Sequence, residues 1–415
     1  MGKKVLVLGS GAQGTAAARR LDQHPAVEKV ICADYDKKAV EELVASMKKG
    51  VGMQVNAKDV SAIVKAAEGV DLILNALPYA FAKNVLDAAI EANTNYQDFA
   101  AGELTDPEID DSQETWIKDI GIMYKEYGEK FKANGKLAII GTGSAPGLIL
   151  VAARRAVREL DTCDTVNLIV YEGLEAKRFM PFWWSPDVAL RDMSEDGVAW
   201  INGEFVVTEG FSDPFYREYP EMEGKVAMCV EHSHDEPVYI GYNADTFFKG
   251  CKNAYFKYGG VGIDFAYPLK RAGLLSKEKE VINGREVIPF EVVLAHIPAA
   301  PKYREEMQEI LDEGIKSEAG ATVAEVIGKK DGKDLQVEAH IFTPGIYECF
   351  DKFGLTCEQY ITGQGGYLFS KLFVEDKYEQ TGLISSDMLS EEQVDYYLQC
   401  ADELEITVEL VKKEL

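Results

Sequence analysis

A glycine-rich turn near the N-terminus combines the residue types that a phosphate-binding loop requires. Gly9, Gly11 and Gly14 follow the G-x-G-x-x-G spacing, between an apolar strand pattern and a helical pattern. We expect Gly9 to permit the tight turn, Gly11 to let the backbone approach a pyrophosphate, and Gly14 to let helix and strand pack closely. N–H groups at the helix start would bind the phosphates. The predicted cofactor-binding turn consists of Gly9, Gly11, Ala12, Gln13 and Gly14.

An acidic residue follows where such sites bind the adenosine ribose. Asp34 ends the second predicted strand, and a carboxylate there accepts hydrogen bonds from both ribose hydroxyls and repels a 2′-phosphate. Lys37 and Lys38 lie just beyond and would tolerate that phosphate, but no Arg directly follows Asp34. We therefore predict NAD as the cofactor, with NADP as the less favoured alternative.

A second turn follows the fourth predicted strand, at the edge where open α/β sheets bind ligands. The backbone of Asn75, Ala76, Leu77 and Pro78 should line the cofactor. Tyr79 either reaches the nicotinamide ribose or the substrate, or packs within an ordinary turn.

Two further segments end at the same predicted edge. Asp98 either accepts a substrate ammonium group or caps the next turn. The turn with Gly143, Ser144 and Pro146 opens a helix whose N–H groups would hold the cofactor edge or a substrate carboxylate. The alternative for this turn is a plain proline-initiated helix.

Two imidazoles lie close together in the second half of the chain. His232 and His234 are two residues apart, hence on one side of an extended strand, and Glu231, Asp235 and Glu236 flank them. We predict that they assist proton transfer, since the pKa of imidazole suits it near neutral pH. An exposed polar turn is the alternative. No metal is predicted, because further ligands at suitable spacing are missing.

Two arginines flank a Trp-Ser-Pro turn in the second half. Arg191 or Arg178 would supply a bidentate anchor for a substrate carboxylate. Trp183 and Trp184 would either exclude water from the site or serve as structural core residues.

Alternating strand and helix patterns over residues 1–145 position these candidates. The apolar strands predict an α/β fold, a doubly wound parallel sheet of the Rossmann type with Leu137–Gly141 as its last strand. Residues 146–362 are richer in strands and carry hairpin turns at Asn202-Gly203, Asn283-Gly284 and Asp331-Gly332, which predicts an α+β second domain. Residues 363–415 form a C-terminal segment that we expect to be helical and acidic.

Composition limits the class of protein. The 415 residues carry 70 acidic and 44 basic side chains, a net charge of −26, which would repel a nucleic acid backbone. No segment has the roughly 18 consecutive apolar residues of a membrane-spanning helix, and the N-terminus has no signal-peptide pattern. The seven cysteines follow no disulfide or zinc pattern. We expect a soluble cytoplasmic enzyme that binds neither nucleic acid nor membranes.

Several separate segments resemble the saccharopine dehydrogenase-like oxidoreductases. This group includes saccharopine reductase, lysine 6-dehydrogenase and carboxynorspermidine dehydrogenase. Besides the glycine turn, the segments that carry the resemblance are Leu74–Tyr79, Tyr96–Asp98, Gly141–Leu148, Trp184–Pro186, Trp200–Glu204 and Tyr258–Gly260.

The resemblance implies hydride transfer at a C–N bond. The substrate is then an amine or amino acid, and the reaction reduces an imine of an amine and an aldehyde or runs in reverse. It also implies a homodimer and a segment 363–415 that packs back on the Rossmann domain. A saccharopine or lysine dehydrogenase-like enzyme is the leading hypothesis. The alternatives are a carboxynorspermidine-type enzyme of the polyamine pathway, which uses a diamine and an aldehyde, and a non-catalytic Rossmann protein that senses NAD(H).

Overall fold

The computed structural model describes residues 2–106, 109–222, 224–301, 303–354 and 356–415. It divides into two compact units. The first unit combines Met1–Arg155 with Gln359–Val408, and the second combines Ala156–Glu358 with Glu409–Leu415. No helix among the described residues is long and apolar enough to cross a membrane.

The N-terminal part alternates strands and helices. Its strands are β1 (Lys3–Leu8), β2 (Val27–Asp34), β3 (Gly50–Gln54), β4 (Leu72–Asn75), β5 (Asn95–Asp98) and β6 (Leu137–Ile140). Its helices are α1 (Ala12–Gln23), α2 (Lys37–Ala45), α3 (Val60–Ala66), α4 (Ala82–Glu91), α5 (Gln113–Ile122), α6 (Gly128–Ala133) and α7 (Leu148–Val157). A short 3-10 turn covers Tyr79–Phe81, and a π-helical turn over Met123–Tyr127 joins α5 to α6.

The middle of the chain is richer in strands. They are β7 (Thr162–Ala176), β8 (Gly197–Ile201), β9 (Glu204–Thr208), β10 (Phe215–Glu218), β11 (Val226–Glu231), β12 (Asn253–Gly260), β13 (Glu280–Ile282), β14 (Arg285–Val287), β15 (Ile315–Lys330) and β16 (Lys333–Phe342). The helices are α8 (Pro186–Asp192), α9 (Glu236–Phe247), α10 (Val261–Arg271), α11 (Pro289–Leu294), α12 (Arg304–Glu313) and α13 (Ile346–Phe353).

The C-terminal part contains strands as well as helices. Its elements are α14 (Cys357–Val374), β17 (Gly382–Ser385), α15 (Glu391–Asp402) and β18 (Thr407–Glu414). The prediction of a purely helical segment over 363–415 was therefore wrong. Four buried residues, from Gly382 to Ser385, are too short a run to reveal a strand by periodicity.

The first unit is built on a seven-stranded parallel sheet in the order β17-β6-β5-β4-β1-β2-β3. The predicted Rossmann-type fold is confirmed. Leu137–Ile140 is not the last strand, because β17 pairs in parallel with it. The chain thus returns after the second unit to complete the first sheet.

The second unit contains a nine-stranded sheet with the path β10-β11-β12-β7-β15-β16-β18, to which β8 and β9 attach through β12. The β12–β7 pair is parallel, and the β11–β12, β7–β15 and β15–β16 pairs are antiparallel. The predicted α+β second domain is confirmed.

The three predicted hairpin turns occur where the sequence indicated them. Asn202-Gly203 joins β8 to β9, Asn283-Gly284 joins β13 to β14, and Asp331-Gly332 joins β15 to β16. Each of the six residues has a positive φ, between 51° and 83°, as a type I′ turn requires at both central positions. Asn, Asp and Gly tolerate this conformation, which explains why the turns are visible in the sequence.

Candidate functional site

In the glycine turn of the first unit, the backbone packing requires glycine at positions 9 and 14 but not at position 11. A Cβ atom on Gly14 would lie 2.0 Å from the carbonyl oxygen of Gly9, and one on Gly9 would lie 2.6 Å from that of Ala76. Gly9 also has a φ of +99°. A Cβ on Gly11 would meet nothing within 4 Å, and Gly11 has an ordinary φ of −76°. Packing therefore does not require glycine at position 11, whereas a ligand lying against the turn does.

The start of α1 has the features of an anion site. Gly11 is the N-cap and provides no side-chain cap, and the first turn of α1 contains no acidic residue. The N–H of Thr15 makes the first bond of the helix, to Gly11 at 2.9 Å, so the earlier N–H groups of the helix have no helical acceptor. The Ser10 hydroxyl is buried beside them and has no hydrogen-bond partner among the described residues. These groups fit the pyrophosphate of a dinucleotide.

Asp34 lies at the end of β2 and contacts the glycine turn. Its carboxylate accepts hydrogen bonds from the N–H groups of Ser10 at 2.7 Å and Asp36 at 2.9 Å. A carboxylate has about four acceptor positions, so two remain for ribose hydroxyls. Lys37 and Lys38 are 70% and 72% exposed and lie 3.4 and 3.6 Å from carboxylates one helical turn further on.

Side chains at the ends of β4 and β5 form one hydrogen-bonded chain along the carboxyl edge of the sheet. The Asn75 amide donates to the Tyr96 hydroxyl at 3.1 Å, and that hydroxyl donates to Asp98 at 2.8 Å. The other oxygen of Asp98 accepts from the N–H of Gly141 at 2.7 Å. Asp98 is only 1% exposed. Both oxygens of Asp98 accept hydrogen bonds from protein groups, which counts against a substrate-binding role, and the predicted cap of the next turn stays a prediction.

The turn after β4 is held by backbone contacts. The N–H of Ala76 bonds to Leu8 at 2.8 Å, and the N–H of Leu77 bonds to the Asn75 side chain at 3.2 Å. Pro78 is exposed and Tyr79 is half-buried at the start of the 3-10 turn. Both predicted roles of Tyr79 stay open.

The turn before α7 offers fewer donors than its sequence indicated. The N–H groups of Leu148 and Ile149 are bonded to the carbonyls of Gly143 at 3.0 Å and Ser144 at 2.9 Å. These two bonds count against ligand binding by the N–H groups of Leu148 and Ile149. Contacts from Gly143, Ser144 and Pro146 themselves to the cofactor stay a prediction.

In the second unit, both predicted carboxylate anchors already have acidic partners. Arg191 bonds to Asp187 at 3.0 Å, one helical turn away, and Arg178 pairs with Glu313. Each guanidinium is more than a third exposed. The structure thus counts against Arg191 as a substrate-binding residue.

The histidine segment is a buried cluster, so the alternative of an exposed polar turn is wrong. Strand β11 ends at Glu231, and the histidines lie in the loop before α9 rather than on a strand. Glu231, His232 and Glu236 are 3%, 5% and 0% exposed. The His234 ring stacks on Phe256 with centroids 3.9 Å apart, and the His232 ring stacks on Tyr258 at 4.9 Å.

The two imidazoles carry different charges. Burial, and then the neighbouring His234, lower the pKa of His232 to about 3. Burial also disfavours charge on His234, but the Glu236 carboxylate bonded to its Nδ1 atom, with Asp235 and Asp192 nearby, raises its pKa to about 9. At neutral pH the cluster therefore contains one cationic and one neutral imidazole.

Residues that the sequence analysis did not assign to the site also lie next to this cluster: Glu172, Tyr258 and Asp192. Glu172, near the end of β7, accepts a hydrogen bond from the Tyr258 hydroxyl and interacts with the Trp184 side chain. Burial raises the pKa of Glu172, and His234 acts in the opposite direction. Burial also raises the pKa of Asp192, which interacts with His234. Tyr258 and Trp184 stood in the segments that carry the family resemblance, but nothing in the sequence singled out Glu172.

Residues 5–139 match the family described as the saccharopine dehydrogenase NADP binding domain. The predicted resemblance is confirmed, and the cofactor is a nicotinamide dinucleotide.

Two curated proteins are similar to this chain over most of its length. Carboxynorspermidine synthase of Vibrio cholerae is 26% identical over 334 residues, which cover 72% of this chain and 75% of that protein. Carboxyaminopropylagmatine dehydrogenase of Synechocystis is 21% identical over 389 residues, which cover 92% of each chain. The predicted assignment to nicotinamide-dependent oxidoreductases agrees with these relatives.

One solved structure supports the fold. Apo saccharopine dehydrogenase (L-Glu forming) from Saccharomyces cerevisiae superimposes with a TM-score of 0.67 at 15% identity, covering 99% of this chain and 100% of that one. The fold of this chain, including its second domain, is therefore similar to that of the yeast enzyme.

We expect Gly11→Val to abolish dinucleotide binding and leave the fold intact. The valine side chain would occupy the space that the pyrophosphate needs, while its Cβ meets no protein atom within 4 Å. Cofactor binding is measured by calorimetry, and circular dichroism and thermal unfolding serve as controls for folding. A folded variant with wild-type affinity would contradict the assignment of this turn.

The His234–Glu236 pair predicts a pH-dependent stability. The pKa of His234 in the folded protein is about 9, above its ordinary 6.5. Its stabilising contribution is therefore fully present below about pH 6.5 and is lost as pH rises through about 9. The double variant His234→Asn with Glu236→Gln keeps polar side chains but removes the charges. Thermal unfolding should show the wild type losing more stability than the double variant between about pH 6.5 and about pH 9.5. Parallel pH curves would argue against the ion pair.

Proposed function

We propose that this protein is an NAD(P)-dependent oxidoreductase that reduces the imine formed from an amine and an aldehyde. The observation that carries the proposal is the open space at Gly11 beside the uncapped start of α1. This space fits a dinucleotide, and no packing contact of the protein requires glycine there. The relatives support a C–N bond as the reacting bond, because the names of two of them refer to amine compounds.

The substrate class that we favour is a polyamine-type amine with an aldehyde partner. The names of both curated relatives refer to carboxylated polyamine compounds, which supports the carboxynorspermidine-type alternative over a lysine or saccharopine substrate. The acidic side chains Glu172 and Asp192 of the second unit both interact with His234 and would suit an ammonium group of either substrate class. A net charge of −26 would also attract a polycation.

The chain's own residues would bind and orient the reactants and move protons. When bound, the reduced dinucleotide supplies a hydride, and the acceptor is the imine carbon. The cationic His234 is suited to donate a proton to an oxygen or nitrogen atom that becomes basic during the reaction. The neutral His232, stacked on Tyr258, is a weak base because its pKa is about 3, which counts against His232 as a proton acceptor near neutral pH.

We further propose NAD rather than NADP as the preferred cofactor, although the matched family is named for NADP. The support is the Asp34 carboxylate, which contacts the glycine turn through Ser10 and would lie against a 2′-phosphate. Lys37 and Lys38 are the residues that would reverse this preference.

The proposal includes a homodimer in the cytoplasm and a small-molecule substrate rather than a nucleic acid or membrane partner. The seven free cysteines support a reducing compartment. The dimer rests on the family resemblance.

A substrate panel tests the proposed reaction. The purified protein is assayed at the nicotinamide absorbance with NAD and NADP separately, with lysine, saccharopine, other amino acids, and diamines combined with aldehydes. We expect turnover with a diamine and an aldehyde that carries an amino-acid group. Turnover with lysine or saccharopine alone would favour the other hypothesis. Tight cofactor binding without any turnover would support a non-catalytic sensor of NAD(H).

Cofactor preference is tested with Asp34→Asn. This variant keeps acceptors for the N–H groups of the turn but removes the negative charge. We expect the preference for NAD over NADP to fall by about tenfold to a hundredfold, the value of one charged hydrogen bond. Asp36→Asn is the matched control, because Asp36 caps α2 and would not contact the ribose. A wild type that binds NADP more tightly would overturn the preference.

A further inference from the structure

Glu172 has an unusual position in the sheet of the second unit. It lies on β7, and its in-register neighbours on both sides are glycines, Gly260 on β12 and Gly320 on β15. Residues paired in this way share a face of the sheet. Glu172 therefore has no in-register side chain beside it, and on the Gly320 side a Cβ atom would meet no side-chain atom within 4 Å.

The physical reasons for glycine at these two positions differ. Gly260 has a φ of +110°, and a Cβ there would lie 2.0 Å from the carbonyl oxygen of Glu172, so the backbone itself requires glycine. A Cβ on Gly320 would meet only backbone oxygens, at 3.2 and 3.9 Å, and its φ is not positive. The fold would need only a small shift to accept alanine at position 320. Open space beside Glu172 is thus not fully explained by backbone strain.

The carboxyl group itself is held in place from two elements. The Tyr258 hydroxyl, on β12, donates a hydrogen bond to it, and the Trp184 side chain, in the turn before α8, interacts with it. Tyr258 is 6% exposed, its ring stacks on His232, and burial raises its pKa well above 10, so it stays a donor. Aromatic rings around a carboxylate form a suitable site for an ammonium group.

We propose that Glu172 binds the primary ammonium group of the substrate and is the base that activates it for imine formation. This inference rests on the proposed function and assigns the step that precedes hydride transfer. The charged and titratable groups around Glu172 are the Tyr258 hydroxyl and His234, and Glu358 lies near Tyr258. Burial raises the pKa of Glu172 and so brings its proton exchange closer to neutral pH.

The step balances within the site. Glu172 takes one proton from the ammonium group, and the nitrogen lone pair forms the C–N bond with the aldehyde carbon. The second proton on nitrogen moves to the former carbonyl oxygen, giving a carbinolamine. Glu172 then returns its proton to the hydroxyl group as the C–O bond breaks, and water leaves. The product is the protonated imine that the reduced nicotinamide, the reductant of the proposed function, converts to an amine by hydride transfer.

The main test is Glu172→Gln, which keeps the shape and hydrogen bonding of the side chain but cannot accept the proton. We expect kcat/KM for the amine to fall by about 10²-fold to 10⁴-fold. In the wild type the acidic limb of the pH profile should reflect Glu172. In the variant, log kcat/KM should rise with unit slope towards the pKa of the free amine, because only neutral amine reacts. The dinucleotide Kd should be unchanged.

Glu175→Gln is the matched control. Glu175 lies on the same strand, is 44% exposed and pairs with Lys316 at 2.7 Å, and its substitution should leave the kinetics unchanged. Glu172→Asp retains a carboxylate and should keep the acidic limb with a smaller loss of rate. Tyr258→Phe removes one donor to the charged form, so it should move the acidic limb to higher pH while a plateau persists.

The outcomes separate the two proposals. If the wild type turns over amine and aldehyde but Glu172→Gln keeps the wild-type rate and acidic limb, the role of Glu172 is overturned and the proposed function stands. An unshifted limb in Tyr258→Phe would overturn it as well. If the wild type turns over no amine with any aldehyde, the proposed function fails and the role of Glu172 fails with it.

Discussion

The close backbone contact at the glycine turn is the constraint on which the first unit's site depends. Gly14 allows α1 to approach the Gly9 carbonyl, and Gly9 allows the turn to approach Ala76 after β4. These contacts join the first strand, the first helix and the neighbouring strand without any side chain between them. Once the backbone is fixed in this way, the uncapped start of α1 and the space over Gly11 follow from the geometry.

Glycines have a comparable role in the second unit. Gly260 is required by the backbone where β12 passes directly into α10, and Gly320 lies on the opposite side of Glu172 with no such strict requirement. In both units, one glycine serves the backbone and another leaves space next to functional groups. A glycine that packing does not explain is therefore the more informative one for locating a ligand.

Sequence patterns predicted the structural features that depend on residues close together in the chain. The glycine fingerprint and the three hairpin turns depend on residues within a few positions of each other. The Arg191–Asp187 pair is also local, since the residues are four apart on a helix, so this signal was available and would have removed Arg191 from the candidates.

The sequence analysis missed features that depend on residues far apart in the chain. Strand β17 is defined by its pairing with β6, and the burial of the histidines is defined by stacking on Phe256 and Tyr258 of another strand.

The two units of this acidic chain provide different local charge environments. The first turn of α1 lacks acidic residues, which leaves the N–H groups of the helix as the local positive potential for phosphates. In the second unit, burial raises the pKa of Glu172 and Asp192, while His234 carries a positive charge next to them. An ammonium ion bound there would favour the ionised carboxylates, and ionised carboxylates would bind it more tightly. By linkage, amine binding and proton release from this cluster must therefore be coupled, and each must strengthen the other.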